Sequence, residues 1–272
     1  MRRRVPVLVL TMTLALAGCG GGPSGRDVLV AAPDKTVAAL TSSVDYELGI
    51  EGGGREGRFN GQGVFDFAAR KGRLSFDLSQ LGVSGSRGRA EMLLLGNLIF
   101  LKLPLDLPQL GNRPWVKIDV DALGQQSGLA LGSLGQLQKT DPTSFMELLR
   151  AVSGDVDDKG KEKVRGVETR HYATELDLDE VRRLTPPEVS GLVDQTGSDT
   201  LPVEAWVDGD GRLRRMKQTA DLTKAKDPQL RQMGTVTTVL ELGDFGVPVV
   251  VDPPPPEQVS DLAALTGGAG QR

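Results

Sequence analysis

The sequence predicts an α+β fold: a single large curled antiparallel sheet with helices covering its concave face. Three observations carry this. Apolar residues alternate with polar ones along most of the chain, as in strands with one buried and one wetted face. Turn-forming residues separate these runs at hairpin distances. The 35 Gly among 272 residues are nearly twice the usual share, which suits many tight turns. There is no βαβ repeat, internal repeat or second-domain linker, so one domain is expected.

The elements follow in order. Val28–Leu40 suggests a first helix, opening at Asp34 or just before Pro33. Val44, Tyr46, Leu48 and Ile50 then alternate with Ser43, Asp45, Glu47 and Gly49, a strand. Gly52-Gly53-Gly54 turns the chain, and Gly57–Phe67 returns as the next strand. Leu74, Phe76 and Leu78 form a third. Glu91–Leu95 and Leu98–Leu103 pair across Gly96-Asn97, and Trp115–Val120 adds another strand.

The Gly/Gln/Leu-rich stretch 121–140 fits no pattern. Asp141-Pro142 starts a helix, with Asp as N-cap and Pro in the first turn. Phe145, Leu148, Leu149 and Val152 give it an apolar stripe at i, i+3, i+4 and i+7, ending at Gly154. Residues 155–163 read as a charged loop leading to a long strand through His171-Tyr172 to Leu178. Asp179–Asp194 reads as helical, broken at Pro186-Pro187. Leu201–Val207 and Leu213–Leu222 form a hairpin about Asp208-Gly209-Asp210-Gly211, and Thr235–Phe245 is the last clear strand. Pro253–Pro256 stops the fold, and Gln258–Leu265 could frame a weak helix. About ten strands result, with the Phe145/Leu148/Leu149/Val152 helix as the best cover for the apolar face. If cover and sheet meet fully, the interior is a packed core; if they stand apart, it is an apolar pocket.

Composition excludes several function classes. One Cys and one His cannot build a four-ligand Cys/His zinc site or a disulfide framework. A net charge of -4 and 4% aromatic residues lack the basic surplus and stacking platforms of a nucleic-acid binder. A Gly-x-Ser-x-Gly nucleophile elbow is missing, since Gly82-Val83-Ser84-Gly85-Ser86 fails at its last position. Asp208-Gly209-Asp210-Gly211 lacks the later acids of a calcium loop, which fall on Arg212 and Thr219. His171 is the only easy general base and has no nucleophile partner in view. No catalytic residue, metal site or cofactor is expected, and the chain is not read as an enzyme. The Arg214-Arg215 pair with Lys217 is expected on an exposed strand face.

The first segment sets the compartment. Arg2, Arg3 and Arg4 precede the short apolar run Val5–Leu16, which has the length of a signal-peptide core and is too short to span a bilayer. The run ends in Leu16-Ala17-Gly18-Cys19, which resembles the lipobox of bacterial lipoproteins. The resemblance implies removal of residues 1–18, lipidation of Cys19, and attachment to the extracytoplasmic face of the cell membrane. Cleavage there removes three Arg and no acid, taking the net charge from -4 to -7, so the acyl chains must anchor the protein without a polybasic patch. Residues 19–27 are read as a flexible tether, 28–250 as the folded domain, and 251–272 as a Pro-rich break and tail.

Two local runs extend the resemblance. One is Asp141-Pro142…Leu148-Leu149-Arg150 followed by Val164-Arg165-Gly166-Val167-Glu168-Thr169-Arg170-His171-Tyr172. The other is Leu201-Pro202-Val203-Glu204-Ala205-Trp206-Val207-Asp208 with Gly211-Arg212-Leu213-Arg214-Arg215-Met216. With the lipobox and the sheet–helix–sheet order, the chain resembles actinobacterial cell-envelope lipoproteins of the LppX/LprG type over most of residues 30–248. That family shares the fold of the periplasmic lipoprotein carriers (LolA/LolB-like), so the resemblance implies a half-open β-barrel with a helical cover. The resemblance implies a membrane-anchored protein that binds or carries an acylated lipid or lipoglycan in an apolar cavity. The lining would come from Tyr46, Leu48, Phe65, Phe76, Met92, Leu94, Leu101, Phe145, Leu148 and Leu149. The alternative is a ligand-free lipoprotein that serves as an accessory to an envelope transporter or regulator, and cavity volume discriminates the two.

Overall fold

The computed structural model describes residues 22–53, 55–77, 88–104, 110, 112–119, 142–184 and 196–262. The expected signal peptide, Cys19, the 121–140 stretch, the Asp141 cap, the helix beyond Leu184 and the tail beyond Leu262 lie outside these residues.

Twelve described strands form one sheet. They are β1 (Thr41–Gly52), β2 (Arg55–Asp66), β3 (Lys71–Asp77), β4 (Arg89–Leu95), β5 (Leu98–Lys102) and β6 (Trp115–Asp119), then β7 (Val156–Val164), β8 (Val167–Asp177), β9 (Thr200–Asp208), β10 (Leu213–Asp221), β11 (Thr235–Gly243) and β12 (Val259–Asp261). Their order across the sheet is β12-β6-β5-β4-β3-β2-β1-β11-β10-β9-β8-β7. β12 runs parallel to β6, and the other described neighbours are antiparallel. β7 and β12 are the two described edges, so the sheet is open. Local chemistry sets the hairpins: Arg165 and Gly166 have φ of 50° and 82°, the left-handed pair of a two-residue turn.

The period-two pattern places one residue set on each face. The inner face runs through Tyr172, Ala205, Met216, Leu240, Tyr46, Gly61, Phe76 and Ala90 in register. Glycines on this face leave room for aromatic rings. A Cβ on Gly61 would stand 2.5 Å from the Phe76 ring, and one on Gly72 would stand 2.4 Å from the Phe65 ring. The outer face runs through His171, Trp206, Arg215, Glu241, Asp45, Gln62, Ser75, Glu91 and Lys102.

Four described α-helices accompany the sheet: α1 (Gly25–Val37), α2 (Pro142–Glu147), α3 (Leu178–Leu184) and α4 (Pro228–Met233). The start of α1 corrects the expectation of a helix opening at Pro33-Asp34. Ser24 and Asp27 form a capping box, so residues 25–27, expected in the tether, make the first turn, and Pro33 lies inside the helix. α2 is shorter than its apolar stripe suggested and continues as a 3-10 turn, Leu148–Ala151. α4 was not anticipated, although Asp227 caps it and Pro228 follows at the first position.

Residues 155–163, expected as a loop, form edge strand β7. Its charged side chains are exposed and pair across to β8, as Lys161 does with Glu168 at 2.8 Å and Asp158 with Arg170. Charges along both faces are what an unpaired sheet edge tolerates, and they hide the strand pattern. The tail is also corrected. Pro256–Gln258 is a 3-10 turn, and Val259–Asp261 is a strand pairing with Trp115–Lys117 instead of the start of a helix. On the way there, Val249 and Val251 pack with Leu93, Phe100 and Trp115 in a second apolar cluster. The outer face is therefore covered at Leu93, Phe100 and Trp115, where alternation implied a wetted surface.

Candidate functional site

The inner face carries one continuous apolar cluster that runs from β6 to β8 and takes in α1, α2 and the 3-10 turn. Of the residues the resemblance placed in a lipid site, Phe65 (1% exposed), Phe76, Met92, Leu94, Phe145 and Leu149 (0% exposed) are buried in it. Tyr46, Leu101 and Leu148 pack against it and are partly exposed. Leu48 is partly exposed on the same face, opposite Phe59 and Thr238. Burial pushes the Tyr46 phenol above its ordinary range, and a hydrogen bond with the Thr238 side chain works against that shift.

The cover is a helix pair. α1 buries Leu29, Ala32, Pro33 and Thr36, and its partner buries Phe145, Met146, Leu149, Ala151 and Val152. Removing a Leu-sized side chain from water stabilises by about 1.5–3 kcal/mol. Polar contacts fix the helices at the margin. The Arg150 guanidinium donates to Asp34 Oδ1 at 2.7 Å and also to Glu147, joining the two cover pieces. Arg150 hydrogen bonding and charge hold the Asp34 carboxyl below the usual carboxylate range. Arg26 Nε donates to the Val152 carbonyl at 3.1 Å. Deeper in, the Leu213 N–H donates to Thr36 Oγ1 at 2.9 Å, and that hydroxyl donates to the Ala32 carbonyl at 2.7 Å, pinning α1 to β10. Sequence reasoning missed α1 as part of the cover. The signal was the Ser24–Asp27 spacing, overlooked beside a run of glycines.

The outer face is polar and networked over β7–β11. His171 stacks on Trp206, with centroids 4.1 Å apart and planes 11° apart. Its Nε2 lies 2.9 Å from Glu204 Oε2, and Trp206 Nε1 donates to Glu162 at 2.7 Å. Arg215, expected on an open strand surface, lies over the Trp206 ring at 5.1 Å and donates to Glu241 at 2.7 Å; Lys217 pairs with Glu204 at 2.8 Å. Burial alone would raise the Glu204 carboxyl, but Lys217 and His171 together bring it below its ordinary value. His171 thus holds neighbouring strands together. Arg214, with Arg212, grips the buried Asp208 carboxylate, and both guanidinium groups lie over the Phe245 ring at 4.4 and 4.9 Å.

Two clefts open on the described surface. One, about 380 Å³, lies on the outer face over β11, β1, β2 and β3; the other, about 340 Å³, is lined by acidic residues of β8 and α3 with Arg182. Among the described residues no group of three or more His, Cys, Asp or Glu is placed to hold a metal, and no helix is long and apolar enough to cross a membrane.

No family model matches the chain. It is 25% identical over 171 residues to an uncharacterized 31.2 kDa protein in the rplA-rplJ intergenic region of Streptomyces griseus, covering 58% of this chain. The chain spans about half the length of that relative, 52%. Among solved structures it is similar to the Mycobacterium tuberculosis lipoprotein LppX (TM-score 0.48, 15% identity, 82% of this chain and 98% of that one). It is also similar to a LolA superfamily protein from Nitrosomonas europaea (TM-score 0.33, 12% identity, 85% and 96%).

Proposed function

We propose that the protein is a lipid-anchored envelope carrier that holds the acyl chains of a lipid or lipoglycan against the inner face of its sheet. The observation that supports this reading is the unbroken apolar cluster under a cover joined at its margin by a few polar contacts. Each methylene withdrawn from water contributes about 0.8 kcal/mol, so two acyl chains bring ample affinity without charged contacts. Tyr46, Leu48, Leu101 and Leu148, partly exposed, are where acyl chains first touch; Phe65, Phe76, Met92, Leu94, Phe145 and Leu149 line the interior. Residues 1–18 direct export, and acylated Cys19 attaches the protein to the extracytoplasmic face of the membrane. In this role the chain performs no chemistry on its ligand.

A second reading, an accessory lipoprotein that docks an envelope transporter, is favoured by the complete burial of Met92, Leu149 and Met216, the mark of a filled interior. Native mass spectrometry with lipid extraction separates the two. The carrier reading expects a stoichiometric lipid that is lost in Leu148→Glu while the circular dichroism spectrum is kept. A clean apo mass after incubation with envelope lipids overturns it and leaves the accessory role. Anchoring is checked separately: Cys19→Ala should move the protein from the membrane to the soluble fraction.

A further inference from the structure

We propose that the 380 Å³ cleft on the outer face is a binding site for a neutral polyhydroxyl ligand, a sugar or the glycan part of a larger molecule. Two registered rows of side chains build its floor. One is Glu241–Asp45–Gln62 and the other Val239–Glu47–Asn60–Asp77–Arg89. Facing positions on adjacent strands are about 4.5–5.5 Å apart, the scale of a pyranose ring.

Charge is balanced at the rim. Asp45 accepts from Arg165 at 2.6 Å, Glu47 pairs with Arg58 at 3.4 Å, and Glu241 accepts from Arg215 at 2.7 Å. Arg89 donates to Ser75 Oγ at 2.8 Å. With Asp45, Glu47 and Glu241 each met by a guanidinium group, the floor has little to offer a free cation or anion. The exposed Asn60 and Gln62 side chains lie at its centre and make no hydrogen bond among the described residues. An amide presents donors and an acceptor together, which is what a hydroxyl, itself donor and acceptor, requires. The single aliphatic side chain in the two rows, Val239, gives too little apolar surface for an acyl chain.

Curvature supplies the concavity. Arg165 sits in the β7–β8 turn, four strand spacings from β1, about 19 Å on a flat sheet. Its contact with Asp45 across that distance requires the sheet to curl between β8 and β1, which brings the turn beside the Glu241–Asp45 row. The site lies opposite the apolar face and does not rest on the lipid reading.

The test uses full-length protein in a detergent without a sugar headgroup, with methyl α-glucoside, methyl α-mannoside, arabinose and maltotriose as probes in saturation-transfer NMR. At least one probe should bind saturably and remain bound at raised salt, as a neutral ligand does. Asn60→Ala/Gln62→Ala should weaken it about tenfold or more, the fold-change expected for losing hydrogen bonds from two neutral amides, with an unchanged melting temperature. Absence of saturable binding by all four probes, binding that salt removes, or binding that the double variant leaves unchanged would overturn the proposal. Lipid content measured on the same sample reports on the carrier reading independently.

Discussion

Thr36 shows how one side chain ties a cover helix to the sheet. Its hydroxyl is the acceptor for the Leu213 N–H in a buried setting. Thr36→Val keeps the shape and removes the acceptor, so urea unfolding should report a loss of about 1–3 kcal/mol, the cost of an unsatisfied buried donor. Asp208 makes a different argument. Burial alone would raise its carboxyl, but hydrogen bonds from the Arg212 N–H and the Arg214 guanidinium, with both positive charges, bring it below the ordinary aspartate value. A depressed folded pKa means its stabilisation is fully present above the unfolded value, about 3.9, and is lost as pH falls through the folded value. Stability measured in urea should therefore drop below about pH 4. Asp208→Asn should flatten that dependence and cost about 2–3 kcal/mol at neutral pH, the scale of hydrogen bonds to a charged group.

Strands were legible where apolar and polar residues alternate, and illegible where the environment breaks alternation. β1 could be read from Val44, Tyr46 and Leu48 because one face is dry and the other wet. β7 could not, since an edge strand of Asp, Lys and Glu imitates a loop. The inner face was foreseen from the same alternation, whereas α1 carries Pro33 and Thr36 among its few buried positions and gives a weak apolar stripe. The edge has a consequence. Replacing Lys159, Lys161 and Lys163 together by Val should cause concentration-dependent association in size-exclusion chromatography, because those charges keep other strands away. The glycines are equally specific. Gly72→Ala drives a methyl into the Phe65 ring, which is 1% exposed and has nowhere to go. Overpacking of this kind costs about 1–3 kcal/mol, visible as a lower urea midpoint.

At the scale of the whole molecule, the sheet buries part of its outer face as well, at Leu93, Phe100 and Trp115, because the segment after β11 crosses to the far edge and pairs there as β12. Period-two reasoning treats each strand alone, so a cover supplied from 150 residues away in sequence was beyond it. Val251→Asp should release this segment. In a Trp206→Phe background, Trp115 emission should then shift to the red as its ring, 8% exposed in the native protein, meets water. The capping box at Ser24–Asp27 reaches further still. Five residues lie between Cys19 and Gly25, so an anchor at Cys19, as proposed, gives a leash of about 20 Å at full extension. Twelve strands laid flat would span about 55 Å. Curling narrows that span, but an anchor on so short a line would still hold the body by one corner, where Gly25 lies against Val156 and Tyr172. With that anchor, the β7–β8 corner would be held nearest the bilayer and the edge at β12 farther from it.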